Sequence, residues 1–157
     1  MPSPALAAPA SADIDHRVIR HGRVPDLAAA ARARGVEPAD VVKTMIVRRG
    51  PDDFLFVLVP GDRAISWPKL RALLRQRRLS MPDAATARQV TGYERGTITP
   101  LGAAVAWPVI AGERPLGSEI TLGAGEQGVA VAVRADDILR QLSARVADVT
   151  EPEGAAG

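Results

Sequence analysis

Few side chains in this sequence are equipped for chemistry. Lys43 lies inside residues 41–49, an apolar stretch reading Val-Val-Lys-Thr-Met-Ile-Val-Arg-Arg. Strand alternation turns Val42 and Thr44 to one face and leaves Lys43 with Val41 and Met45 on the other. Two roles fit such a lysine. Its stem covers apolar surface while the amine reaches water, or its ammonium sits at a cleft and holds phosphate or a developing negative charge. The second group is residues 91–102, Thr-Gly-Tyr-Glu-Arg-Gly-Thr-Ile-Thr-Pro-Leu-Gly. Glycine allows positive φ and close approach to the main chain. Pro100 fixes its own φ and biases Thr99 towards extended backbone. The product is a stiff loop whose N–H groups have no partner in regular structure and must find one or face water. A ligand with a polarised oxygen is one such partner; a plain connector between a helix and a strand is the other reading.

Other chemistries drop out. The chain has no cysteine, which excludes disulfides, cysteine–zinc sites and thiol catalysis. There is no Gly-x-Ser-x-Gly and no His-Glu-x-x-His. His16 and His21 have no partners at metal-ligand spacing, so no metal site is expected. Residues 123–128, Gly-Ala-Gly-Glu-Gln-Gly, match Gly-x-Gly-x-x-Gly, but a strand rather than a helix follows, so the dinucleotide reading fails. Asp136 and Asp137 suit a helix start better than an acid/base pair. Two glycine loops, one lysine and a few threonines remain. That inventory suits electrostatic and backbone stabilisation of a labile bond rather than side-chain nucleophilic attack, with no cofactor.

The elements that must position these residues are legible from punctuation and periodicity. Residues 15–21 alternate as a short strand ended by Gly22. Pro25 and Asp26 open a helix through Arg34, with Leu27, Ala30 and Ala31 on one face and Gly35 as its stop. Residues 38–40 turn. Residues 41–49 and 54–59 read as an antiparallel hairpin around the turn at 51–53. Ser66 caps a helix to about Gln76. Residues 79–81 read as a short strand, and Pro82 and Asp83 start a helix that Gly92 ends. Residues 105–110 form a strand that Pro108 marks as edge or bulged. A turn at 112–115, strands at 119–122 and 129–133, a helix at 135–142 and a last strand at 145–149 complete the order. Most connections are too short for βαβ crossovers. The class is α+β: a mixed, largely antiparallel curled sheet, barrel-like, surrounded by helices.

The 157 residues suit one domain with one core, at 13–150. Residues 1–12, rich in Ala, Pro and Ser, read as a disordered arm without the basic region of a signal peptide, and 151–157 as a tail. No apolar run is long enough to span a bilayer, so the expected compartment is the cytoplasm. Net charge is +2, which permits a nucleic-acid partner without demanding one. Of 20 basic residues only Lys43 and Lys69 are lysine. In a chain that uses Arg wherever either serves, a retained ammonium is informative.

Taken together, Val-Val-Lys-Thr-Met-Ile-Val, then Thr-Gly-Tyr-x-x-Gly-Thr-Ile-Thr-Pro-Leu-Gly, a strand, a glycine loop and Asp-Asp-Ile-Leu resemble the YbaK family. These are free-standing relatives of the editing domain of bacterial prolyl-tRNA synthetase. The resemblance runs over residues 14–149. It implies a mixed fold with a curled sheet and hydrolysis, in trans, of the ester bond of mischarged aminoacyl-tRNA, without a metal. Partners would be the aminoacylated 3′ end of tRNA and, as a second candidate, an aminoacyl-tRNA synthetase, with no membrane. Lys43 takes the position of the family's lysine, and Gly96-Thr97-Ile98-Thr99-Pro100 that of its loop. Gly96 and Gly102 would offer N–H groups to the carbonyl oxygen. Thr44, Met45, Gly123 and Gly125 join Thr97, Ile98, Thr99 and Pro100 as substrate-binding positions. Relatives acting on cysteinyl-tRNA(Pro) carry Ser and Asp where this chain has Gly123 and Ala130, which points to a small side chain other than cysteine. A non-catalytic module of the same fold, binding tRNA or a synthetase, is the alternative.

Overall fold

A computed structural model describes residues 4–11, 14–113 and 118–153. The described elements are α1 (Pro4–Ser11), β1 (His16–Arg20), α2 (Leu27–Arg34), β2 (Val42–Gly50), β3 (Asp53–Pro60), β4 (Arg63–Ile65), α3 (Trp67–Leu74), α4 (Ala84–Thr91), β5 (Val109–Gly112), β6 (Glu119–Gly123), β7 (Val129–Arg134), α5 (Ala135–Gln141), β8 (Arg145–Ala147) and β9 (Thr150–Pro152), with a 3-10 turn at Pro38–Asp40.

The centre is β3, whose Phe-Leu-Phe-Val-Leu-Val run is buried on both sides. Phe54, Phe56 and Leu58 enter the larger hydrophobic cluster, while Leu55, Val57 and Val59 enter the smaller. A strand with period-2 side chains and two covered faces must be apolar throughout. It pairs antiparallel with β2 and parallel with β5, giving the order β2-β3-β5-β8. A second, antiparallel sheet runs β1-β7-β6, and β4 pairs with β9. A parallel bridge between Val41 and Thr121 joins the edge of β2 to β6. The arrangement is mixed and largely antiparallel, as expected, but the described strands form open sheets; none closes into a barrel.

Helix punctuation follows the sequence. Asp26 caps α2 through the Ala29 N–H at 2.8 Å, and Gly35 ends it at φ 72°. Asp83 caps α4 through the Thr86 N–H, and Gly92 ends it at φ 85°.

Four expectations need correction. The N-terminal arm is helical over Pro4–Ser11, and Ala5 and Leu6 are buried in the larger cluster. Its small apolar side chains gain more from that burial than a solvated arm would. Residues 1–3 and 12 lie outside the described residues. Pro108 does not mark an edge, because the strand begins after it and lies between β3 and β8. Pro108 needs no N–H there, and its carbonyl accepts from the Phe56 N–H at 2.8 Å. Residues 79–81 form no strand beyond a bridge from Ser80 to Arg48. The tail begins later than expected, since Glu151 and Pro152 belong to β9, held by Arg63 Nε donating to Thr150 Oγ1 at 2.6 Å; residues 154–157 lie outside the description. Gly112 closes β5, and of the turn expected at 112–115 residues 114 and 115 lie outside the description.

Candidate functional site

The site is built where β2 and β6 part. β2 is an edge strand. Its outer rim is pinned at one end by the Val41–Thr121 bridge and at the other by Arg48, which exchanges both backbone bonds with Ser80 at 2.7 and 3.2 Å. Hydrogen-bonding direction alternates along a strand, so the N–H and C=O of Thr44 and Ile46 point outward like those of Arg48. They face a cavity of about 590 Å³. The far walls are the Leu27–Ala30–Arg34 face of α2, the Arg95–Gly96 turn with Ile98, Gly123 and residues 126–129, and Met81–Pro82 leading into α4.

Six of the predicted positions meet there: Lys43, Thr44, Met45, Gly96, Ile98 and Gly123. Gly96 is exposed at φ +89°, and a Cβ built on it would meet only Gln127 Nε2, at 3.6 Å. Gly123 would bring a Cβ to 3.5 Å from the Ile98 carbonyl and 3.6 Å from that of Thr97. The two glycine loops therefore lie against each other, and Gly125 N–H donates to the Thr97 carbonyl at 3.1 Å.

The other predicted positions brace the loops instead of lining the cavity. Thr97 is buried and its hydroxyl donates to the Glu94 carbonyl at 2.7 Å. Thr99 is fully buried, its Oγ1 accepting from the Leu101 N–H at 3.3 Å, and Pro100 is buried beside it. Gly125, at φ +81°, leaves room for the Tyr93 ring, which a Cβ would strike at 2.5 Å. Tyr93 in turn donates its hydroxyl to the Leu101 carbonyl at 2.6 Å. Gly102 makes room for Pro4, whose carbonyl oxygen would lie 2.4 Å from an added Cβ. It seats α1 rather than facing the cavity.

Lys43 keeps the face expected of it. Val42, Thr44 and Ile46 alternate away, with Val42 and Ile46 in the larger cluster, while Met45 packs on the smaller. The ammonium donates to the Arg63 carbonyl and pairs with Glu153 at 3.3 Å. Glu153 is mostly exposed. A pair with so exposed a carboxylate is worth about 0–1 kcal/mol, so Glu153 adds little to the hold that the Arg63 carbonyl has on the ammonium.

Sequence reasoning missed α2 as a wall. The signal was present: Arg34 continues the Leu27, Ala30 and Ala31 face by one further turn. It also missed a groove of about 480 Å³ lined by Arg48, Arg49, Arg71, Arg77 and Arg78. Of these, Arg49 pairs with Asp53 at 3.0 Å and Arg48 attracts the Asp83 carboxylate at longer range, while Arg71, Arg77 and Arg78 have no ion pair among the described residues. The groove adjoins the cavity along the chain through Ser80 to Met81. Among the described residues no group of three or more His, Asp or Glu is placed to hold a metal ion, and no helix is long and apolar enough to cross a membrane.

The molecule is thus a mixed α+β domain with a cleft beside an arginine groove. Residues 21–141 match the aminoacyl-tRNA editing domain family. The chain belongs to that family. It is 24% identical over 124 residues, 78% of this chain and 76% of the other, to an Enterococcus faecalis protein, EbsC, named as a candidate Cys-tRNA(Pro)/Cys-tRNA(Cys) deacylase. It is 38% identical over 72 residues to a proline–tRNA ligase of Desulforamulus reducens, but that match spans 12% of the ligase. The fold is shared, at a TM-score of 0.82 and 22% identity over 94% of this chain and 95% of the other, with a candidate trans-editing enzyme for prolyl-tRNA synthetase.

Proposed function

We propose that this protein hydrolyses the ester bond of mischarged aminoacyl-tRNA, acting in trans in the cytoplasm on a small aminoacyl group. The observation that carries the reading is one cavity lined by Thr44, Gly96 and Gly123, with Lys43 on its rim, next to an arginine groove suited to a phosphate backbone. The tRNA acceptor stem would lie along that groove with its 3′ end in the cavity. A phosphate backbone binds by charge, and the unpaired guanidinium groups supply it.

The aminoacyl ester is activated by its own ammonium group, so water suffices as nucleophile. The water oxygen bonds to the carbonyl carbon, the oxygen carries the displaced electron pair, and collapse expels the ribose oxygen, which takes a proton. The protein's task is to meet the charge on the carbonyl oxygen with oriented N–H groups. The Gly96 turn and the outward N–H groups of Thr44 and Ile46 are those groups in this reading. Gly102 and Gly125 act indirectly, by seating α1 and Tyr93 behind the loops. Lys43 holds the phosphate or ribose of the terminal nucleotide after leaving Glu153.

Gly123 supplies no side chain, while Met45 and Ile98 supply apolar wall. The reading therefore favours alanine, serine or threonine over cysteine, with prolyl-tRNA spared by shape. An apolar pocket discriminates a methylene by only about 1–3 kcal/mol, so cross-activity among small residues is part of it. Parallel rates on alanyl-, seryl-, threonyl- and cysteinyl-tRNA test this, and Gly123→Ser should raise the cysteinyl rate. A cysteinyl rate far above the others in the natural protein would overturn the specificity. The second reading, a non-catalytic module binding tRNA or a synthetase, draws on one observation: the Lys43 ammonium is engaged by Arg63 and Glu153, away from the cavity. Binding of tRNA without turnover of any ester would favour it.

A further inference from the structure

Arg34 stands at the end of the cavity where β2 meets β6. Its Nη1 donates to Thr121 Oγ1 at 3.0 Å, and Thr121 is fully buried. Its Nε donates to His21 Nε2 at 3.3 Å. Nε2 of that imidazole is the acceptor of the bond. Nδ1 is itself buried without a partner. Neither partner of the guanidinium is a carboxylate, and no described carboxylate lies within ion-pair distance of it. Its Nη2 has no partner among the described residues.

A half-buried cation without a counter-ion is an unstable thing to build. Desolvation lowers the Arg34 pKa from its ordinary value, and guanidinium escapes the penalty only by pairing. The C-terminal dipole of α2 offsets part of it, worth about 0.3–1 kcal/mol at an exposed helix end. The acids that line the cavity have other partners: Asp26 caps the far end of α2, and Glu126 faces Arg20 at 3.8 Å. A planar fork on the cavity lining with one arm unpartnered among the described residues matches one ligand chemistry, a phosphate or carboxylate oxygen.

We propose that Arg34 is an oxyanion-binding residue at this end of the cavity, the counter-ion being supplied by the ligand. On the deacylase reading, on which this identification of sources rests, the oxyanion is either the phosphate of the terminal nucleotide or a carboxylate on the aminoacyl side chain.

The oxyanion site is tested without turnover. The full chain is titrated with inorganic phosphate while the backbone amide signal of Thr121, which the Arg34 side chain touches, is followed by NMR in the natural protein and in Arg34→Gln and Arg34→Lys. The natural protein should show a saturable shift. Arg34→Gln should weaken phosphate by about tenfold or more, as expected for losing a charge-assisted bond, and Arg34→Lys should keep part of the affinity. Thermal melts establish that each variant folds. A natural protein with no shift, or a folded Arg34→Gln that binds phosphate equally well, would overturn the proposal and leave Arg34 as a brace between α2 and β6.

Two substrate ratios then separate the sources. If the oxyanion is the nucleotide phosphate, 3′-aminoacyl-adenosine 5′-phosphate outruns the unphosphorylated ester, and Arg34→Gln erases that advantage. If it is a side-chain carboxylate, aspartyl ester outruns alanyl ester, and Arg34→Gln erases that instead. Phosphate affinity lost in Arg34→Gln, with no ester hydrolysed by either protein, would keep the oxyanion site while sinking the deacylase reading.

Discussion

Gly96→Ala separates a catalytic loop from a connector. Gly96 holds φ +89°, and an added Cβ meets nothing closer than Gln127 Nε2 at 3.6 Å. The cost to folding is therefore conformational, with no steric clash. A non-glycine residue in a sparsely populated region costs roughly 1–3 kcal/mol. For a chain of this size that lowers Tm by about 2–4 °C per kcal/mol. The turn at Gly96 also sets the direction of its N–H groups, and losing one oxyanion donor costs about 2.7–4 kcal/mol, or 10²–10³ in rate. The substitution should thus cut kcat on mischarged tRNA by about a hundredfold or more, while melting shifts modestly. Gly125→Ala is the contrast, since its Cβ would strike the Tyr93 ring at 2.5 Å, and it should lose stability first. The assay is single-turnover deacylation beside thermal melts of both variants. Wild-type turnover in Gly96→Ala with a large fall in Tm would refute the reasoning and make the loop a connector.

Three further outcomes follow from the geometry. Glu153→Gln frees the Lys43 ammonium from a pair worth at most about 1 kcal/mol, so turnover should stay level or rise by up to about fivefold; a large fall would mean the pair positions Lys43 for its work. Affinity for tRNA should drop steeply with salt, and replacing Arg77 and Arg78 with Gln should flatten that slope by about one phosphate contact each, as read by filter binding across salt concentrations. Burial pushes the Tyr93 phenol above its ordinary value of 10.0. The unfolded chain then ionises first, so stability is full below pH about 10 and lost as pH rises towards the folded pKa. Alkaline melts should show this loss, and Tyr93→Phe should remove it.

Much of the frame was legible because its determinants are local. Asp26 and Gly35, or Asp83 and Gly92, state where a helix starts and stops irrespective of what surrounds it. The apolar run of β3 likewise declares a strand covered on both faces. What escaped detection depends on distant contacts. Pro4–Ser11 looks like a solvated arm until Gly102 and the larger cluster are seen to receive it. Pro108 looks like an edge marker until its carbonyl is seen to serve β3. For the site, motif order picked out Lys43, Gly96 and Gly123, which line one cavity, although the Lys43 ammonium rests on Arg63 and Glu153. Spacing alone did not separate the cavity-lining Ile98 from Thr97 and Thr99, whose side chains turn inward to brace the loop. Nor does sequence separation hint that Arg34 reaches Thr121, 87 residues on.

The central claim is that this cavity cleaves the aminoacyl ester and that Lys43 takes part. The direct measurement is the initial rate of amino-acid release from labelled alanyl-tRNA(Pro), compared between the natural protein, Lys43→Ala and Lys43→Arg at matched folded fraction. The account predicts rapid release by the natural protein and near-background release by Lys43→Ala. Lys43→Arg should also be poor, because a planar guanidinium does not replace a compact ammonium in a tight site. Release by folded Lys43→Ala at the natural rate would contradict the role assigned to the lysine.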